Sequence, residues 1–338
     1  MEPKRQEKRQ EMSASGWSRR AMLGAALTAP LAMSARAQAY PSRNPRLIVP
    51  FPAGGPADTL TRIAAEQVGA RLGQPMIVES RPGAGGNLAG DLAARSEADG
   101  YTLLVAGQSI LAINKALYRT TSYDPVTDFA FIAMLGVIAN VLLVNPQTVP
   151  VNSVAELIAL AKKKPGAISY GSNGPGSLTH LTMEIMAHKS GTQFLHVPYR
   201  GAAPLMTDLL GGRLDMCFNG ASIALPLVRS GQLRALAVTT RTRSRHSPDV
   251  PTLIESGFPG LDAPTWFAVV ARATTPAPIL ERLRKEFNEV IASENYSRSL
   301  DAHSIEVAPI PPDASARFLA GERQLWSDAV KAAGVVLD

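Results

Sequence analysis

Along the chain, short apolar runs alternate with longer stretches in which apolar positions recur every three or four residues. The runs at 46–51 (RLIVPF), 76–79 (MIVE), 101–106 (YTLLVA), 167–171 (AISYG), 194–197 (FLHV), 214–218 (LDMCF) and 234–239 (RALAVT) predict buried β-strands. Between them, residues 60–72 place Leu60, Ile63, Ala64, Val68 and Leu72 at helical spacing. Residues 153–164 open on Ser153 and Glu156, a Ser-x-x-Glu capping box. Strand and helix in alternation imply parallel sheets joined by crossovers, hence an α/β protein.

Two longer apolar stretches set the domain organisation. Residues 129–144 are broken only by Gly136 and Asn140, and residues 265–271 (TWFAVVA) follow a Gly/Pro-rich segment containing Gly257, Pro259, Gly260 and Pro264. Read as two passages between lobes, they predict a discontinuous first lobe, 40–137 plus 265–338, to which the helices from Pro278 onward return. The second lobe is then 138–264, with a cleft between the two; two sequential domains are the alternative. Residues 40–338 are too many for one ordinary core of about 100–150 residues and suit two.

The first 39 residues carry a different pattern. A charged stretch ends at Ser18-Arg19-Arg20, a mildly apolar segment spans 21–33, and Ala37-Gln38-Ala39 offers the small residues that a signal peptidase cuts after. The pair Arg19-Arg20 with Leu23 resembles a twin-arginine export signal, with a Sec signal as the alternative. The apolar segment, interrupted by Thr28 and Pro30, falls short of the roughly 20 residues of a membrane span. The expectation is a signal peptide over 1–39, cleaved after Ala39, and an exported, periplasmic chain.

Charge then loses most of its force. Residues 1–39 hold 7 of the 34 basic and 3 of the 28 acidic residues, leaving 27 against 25. A near-neutral chain without a basic stripe gives no reason to expect nucleic acid as a partner, and the Arg-rich segment 241–245 reads as a solvated loop. Cys217 is the only cysteine, so no internal disulfide can form; it lies in an apolar run and reads as a small core hydrophobe.

Candidate chemistry sits in two loops. In open α/β sheets, ligands bind beyond the carboxyl ends of strands, where helix N-termini present free N–H groups and the positive end of the dipole. The segment after the first strand, VPFPAGGPADTL, supplies Gly54 and Gly55 for a tight turn and close backbone approach. A second loop, Ser172-Asn173-Gly174-Pro175-Gly176-Ser177, leads into Leu178-Thr179-His180 and is equally rich in glycine and hydroxyls. Neither contains Lys or Arg, and neither the P-loop nor a complete G-x-G-x-x-G pattern occurs. A small carboxylate, held by main-chain N–H groups and hydroxyls, fits better than a phosphate. Asp58 is read equally as a helix cap or a ligand contact.

Enzyme patterns give little. No G-x-S-x-G elbow or H-E-x-x-H is found, and the lone cysteine has no local protease signature. His180, Glu184 and His188 share one helix face and offer a metal-site alternative; His180 as a base in a cleft hydrolase is another.

The segments VPFPAGGPADTLTRIAAEQVGARLGQPMIVESRPGAGGNLAG, ADGYTLLVA, INKALY, ISYGSNGPGSLTHL, VPYRGAAPLMTDLLGGRLDMCFN, RALAVTT and DVPTLIESGFPGL resemble the Bug family, the TctC-like periplasmic receptors of tripartite tricarboxylate transporters. The resemblance runs through nearly all of residues 40–338. It implies a type II periplasmic-binding-protein fold, two α/β lobes closing on a ligand in the manner of a Venus flytrap. It further implies no catalysis, no cofactor, no metal, a monomer, and as partners a small carboxylate and the membrane permease subunits. The ligand would be a di- or tricarboxylate, an amino acid or an aromatic acid. A ligand-loaded sensor docking on a kinase is the alternative use of the same fold.

By the same resemblance the ligand contacts are Phe51, Pro52, Ala53, Gly54, Gly55, Ala57 and Asp58 from the first loop. Ser172, Asn173, Gly176, Ser177, Thr179 and His180 come from the second. Gln108 and Ser109, which follow YTLLVA, Tyr199 and Arg200 in VPYRG, and Asp215 and Asn219 in GRLDMCFNG complete the set. Gln108 stands where the family often has a small hydroxyl residue, and Arg200 where it commonly has Lys. Asp58 or Asp215 would hold the amine of an amino-acid ligand.

Overall fold

The computed structural model describes residues 40–338, and the signal-peptide expectation for 1–39 lies outside them. The elements run β1 (Arg46–Val49), α1 (Pro56–Leu72), β2 (Ile77–Ser80), α2 (Asn87–Ala94), β3 (Thr102–Gly107), α3 (Asn114–Leu117), β4 (Phe129–Ile138), β5 (Asn140–Val144), α4 (Val154–Lys163) and β6 (Ser169–Ser172). They continue with α5 (Leu178–Ser190), β7 (Leu195–Pro198), α6 (Ala202–Leu210), β8 (Met216–Gly220), α7 (Ala221–Arg229), β9 (Arg234–Val238), β10 (Thr265–Arg272), α8 (Ala277–Ile291), α9 (Glu294–Asp301) and α10 (Pro312–Ala333).

Two five-stranded sheets result, β2-β1-β3-β10-β4 and β7-β6-β8-β5-β9. In the first, β1 runs parallel to β2 and β3, and β10 is antiparallel to β3 and β4. The second repeats the plan, with β6 parallel to β7 and β8, and β5 antiparallel to β8 and β9. The α/β expectation holds, with an antiparallel component in each sheet that the strand-helix alternation does not foretell.

Burial follows the two-residue period of a strand. Leu47, Val49, Leu103 and Val105 pack with Leu60, Ala64 and Val68 of α1 and Leu283 and Phe287 of α8. Their neighbours Ile48, Leu104 and Ala106 face the other way, against Ala89 and Ala93 of α2. Each fully buried Leu or Ile contributes about 1.5–3 kcal/mol, so these central strands anchor the loops at their ends. The second sheet is likewise covered on both faces.

The long apolar stretch 129–144 divides at Ala139 into β4 of the first sheet and β5 of the second. The chain returns along 261–265, and Ile138 pairs with Thr265 where the passages meet. Asn140 ties them together: its Nδ2 donates to Thr265 Oγ1 at 3.1 Å and Ala263 O at 3.4 Å, and its N–H donates to Thr239 Oγ1 at 3.1 Å.

The Ser153 half of the capping box of α4 is realised, since Ser153 Oγ accepts the Glu156 N–H, while the Glu156 carboxylate accepts the N–H of Asn152, one residue before the cap. Helix α1 begins at Pro56 rather than Leu60, because Pro56 suits the first helical turn and Asp58 complements the dipole there. The last helix, α10, packs Trp326, Ala329 and Val330 into one apolar cluster with Leu181 and Ile185 of α5 and with Ile113 and Leu117. It thus touches elements following both sheets. Cys217 is fully buried in β8, and burial pushes its thiol far above the ordinary range. Among the described residues no helix is long and apolar enough to cross a membrane.

Candidate functional site

Three strand-to-helix junctions converge on one cavity of about 470 Å³. After β3, Gly107-Gln108 leads into a wide turn over Ser109–Ile113, in which the Asn114 N–H reaches back to Ser109 O. Such π-type turns frequently occur at functional sites. After β6, residues 173–177 lead into α5, whose first turn is capped by Ser177 Oγ accepting the His180 N–H at 3.3 Å. After β8, Asn219-Gly220 leads directly into α7. All three junctions sit at carboxyl ends of strands, where helix N–H groups lack intrahelical partners.

Of the expected contacts, Phe51, Gln108, Ser109, Asn173, Gly176, Ser177, Thr179 and Asn219 line this cavity. Their polar atoms differ in what they leave free. Ser109 Oγ and Asn219 Nδ2 are buried and have no hydrogen-bond partner in the protein. Asn219 itself is 5% exposed and turns its Oδ1 back onto the Gly220 N–H at 2.8 Å, leaving the amide donors toward the cavity. A buried polar group without a partner costs about 1–3 kcal/mol, which a bound acceptor recovers. Gln108 is already committed, its Nε2 donating to Pro264 O and its Oε1 accepting the Trp266 N–H at 3.2 Å. It therefore braces the returning passage into β10.

The other expected contacts stand outside the lining. Pro52, Ala53 and Gly54 are exposed, while Gly55 and Ala57 accompany the helix start. Asp58 is buried, and its Oδ2 accepts the Gly54 N–H and Arg62 Nε, both at 2.9 Å. The Arg62 hydrogen bond is the main reason its carboxyl lies below the usual range. Ser172 Oγ bonds His196 Nε2 at 2.7 Å. Tyr199 donates its hydroxyl to Asp208 at 2.9 Å, and Arg200 is exposed. Asp215 accepts from the N–H and Oγ of Ser169, both at 2.8 Å, fastening β6 to the start of β8. Neither Asp58 nor Asp215 presents a carboxylate to the cavity.

His180 lies behind the second loop. Its Nδ1 accepts the Gly176 N–H at 3.1 Å, and its ring stacks on His196 with centroids 4.1 Å apart. Tyr170 stacks on His196 in turn and gives its hydroxyl to Glu184. Burial, reinforced by the charge of His196, pushes His180 down to about 4. A neutral ring whose Nδ1 is occupied supports the loop and offers no free base to the cavity. The helix-face metal alternative also fails in space, since His180 is buried while His188 is exposed. Among the described residues no three His, Cys, Asp or Glu side chains converge to hold a metal ion. Gly176 itself has φ +73°, and a Cβ there would collide with Leu117, so this position requires glycine.

The cavity has a second wall beyond the expected contacts. It comprises Gly85, Ile113, Asn114, Leu117 and Tyr118 from the first half of the chain, Asn140 and Thr265 from the passages, and Pro175, Leu178, Gly220, Phe267 and Leu337. Phe51 and Phe267 meet edge to face at 5.6 Å. Asn114 and Asn140 spend their amide donors on neighbours, Asn114 on Gly85 O and Asn87. Not one lining residue is Asp, Glu, Lys, Arg or His. The site can hold an anion by hydroxyl, amide and helix dipole, against an apolar flank.

Residues 60–335 match the family model described as tripartite tricarboxylate transporter family receptor. The chain is 37% identical over 311 residues to protein BugT of Bordetella pertussis, covering 92% of this chain and 95% of that protein. It is also similar to the structure of R. palustris Rpa4515 with adipate, with a TM-score of 0.77, 34% identity, and 88% and 99% of the two chains covered. MatC from Rhodopseudomonas palustris with bound malate superposes with a TM-score of 0.73 at 28% identity, covering 86% of this chain and all of that one.

Proposed function

The chain belongs to the tripartite tricarboxylate transporter receptor family, and we propose from that premise that it captures a small organic carboxylate in the periplasm and passes it to membrane permease subunits. The observation that carries this reading is the pair of unpaired buried donors, Ser109 Oγ and Asn219 Nδ2, at junctions from the two different sheets. One carboxylate accepts from several such donors at once, and charge-assisted bonds are roughly twice as strong as neutral ones. The adipate and malate held by two similar proteins support the same chemistry.

In this reading 40–137 plus 265–338 and 138–264 are the two lobes, and the passages at Ile138–Asn140 and 263–265 are the hinge. The ligand bridges donors from both lobes and so favours the closed form by its extra contacts there. The loop over Pro52–Gly54 is exposed beside Phe51 and reaches the ligand on closure, while Arg62 holds the buried Asp58 carboxylate behind it. Residues 1–39 direct export and are removed after Ala39. The chain acts by binding alone, as a monomer, with no covalent step.

A thermal-shift screen against small carboxylates tests this. A ligand bound only by the native state adds about 2.7 kcal/mol at a hundredfold excess over its Kd. A raised midpoint with one chemical class of acid is expected; unchanged midpoints across all classes would refute the proposal.

A further inference from the structure

The cavity offers donors and apolar surface, and it offers no negative charge. Its buried side-chain groups without a partner are Ser109 Oγ and Asn219 Nδ2, and the Asn219 N–H₂ can only donate. Helices α5 and α7 start at its wall and bring the positive ends of their dipoles. The acids in the binding motifs stand outside its lining: Asp215 is spent on Ser169, and Asp58 gives its Oδ2 to Gly54 and Arg62 and keeps its unpaired Oδ1 buried away from the lining residues. An ammonium group entering here would lose its hydration without a carboxylate to meet it, and burying an unpaired charge is among the costliest steps in recognition.

The remaining wall is hydrocarbon. Phe51, Phe267, Leu117, Leu178 and Leu337 face the same space, with Phe51 half-buried and Phe267 set in the middle of the first sheet. A space of about 470 Å³ lies within the range of pockets that enclose ligands far larger than acetate. A ligand made of a carboxylate head and a hydrocarbon body satisfies both surfaces, the head on the donors and the body on the aromatic rings.

We propose, resting on the carboxylate-receptor reading, that this protein selects amine-free carboxylic acids with a hydrocarbon body, linear or aryl, and rejects their α-amino counterparts. Phe51 and Phe267 are the specificity-determining wall. The absence of a counter-charge for ammonium excludes the amino-acid class that the sequence motifs leave open.

The test is isothermal titration of the purified protein with matched pairs of acids. Linear diacids of four to ten carbons and a set of aryl acids are each compared with the analogue bearing one α-amino group. The tightest plain acid should exceed its amino analogue at least tenfold, and affinity should rise as methylenes are added. An amino analogue that binds as tightly as its parent overturns the inference and leaves the carboxylate reading standing. If no acid of either kind binds, the receptor reading itself falls and the inference with it. Phe51→Ala supplies a second arm, weakening the longest acids about tenfold while leaving the shortest within twofold. Equal loss for short and long acids would contradict the assigned wall. If that variant fails to fold, the matched pairs decide alone.

Discussion

Acid should loosen this protein through His180 in a way that a single substitution can isolate. The ring is 4% exposed, holds the Gly176 N–H on Nδ1, and has its pKa lowered from 6.5 to about 4 by burial first and by His196 second. A depressed folded-state value means that the unfolded chain takes up the proton earlier. The contribution to stability is therefore complete above pH 6.5 and is lost as pH falls from 6.5 toward 4. At pH 5 the unfolded imidazole is almost fully protonated and the folded one hardly at all, a difference of about 2 kcal/mol. His196 and Glu184 beside it are only half-buried, so solvent screening trims this to about 1–2 kcal/mol. The assay is urea unfolding of the wild type and His180→Gln at pH 7.5 and pH 5. Glutamine keeps an acceptor for Gly176 but does not titrate. The wild type should lose about 1–2 kcal/mol more than the variant on acidification, and equal losses would refute the assignment of a neutral, buried His180.

Ser109→Ala should weaken carboxylate binding about tenfold by titration while raising ligand-free stability by about 1–3 kcal/mol in urea unfolding, because the hydroxyl it removes is buried without a protein partner. Gly176→Ala should cost about 1–3 kcal/mol in chemical unfolding and weaken the ligand as well, since φ +73° and Leu117 both resist a side chain there. Trp326→Ala should cost about 3–5 kcal/mol by calorimetry, for it empties a fully buried site in the cluster shared by α5, α10 and residues 112–117.

What the sequence disclosed follows from where its signals are local. The central strands stand out because runs such as RLIV and TLLVAG are buried on both faces. The second loop stands out because glycines and hydroxyls follow a strand directly. The wall formed by Ile113, Asn114, Leu117 and Tyr118 does not, since Ser109–Ile113 is apolar and largely buried on every side and carries no helical stripe. Phe267, Thr265 and Leu337 reach the cavity from distant parts of the chain, which pattern cannot place. Asp58, Tyr199 and Asp215 lie within motif segments, yet their partners Arg62, Asp208 and Ser169 direct them away from the cavity. For the last two the partner is positioned by packing between elements, and only the Asp58–Arg62 spacing of four on one helix was open to reading beforehand.

The most direct test of the central claim is a crystal structure of the protein with the tightest acid from the screen. A carboxylate oxygen is expected within hydrogen-bond distance of Ser109 Oγ or Asn219 Nδ2, with the body against Phe51 and Phe267. An acid seated away from these residues, with both donors still unpaired, would contradict it.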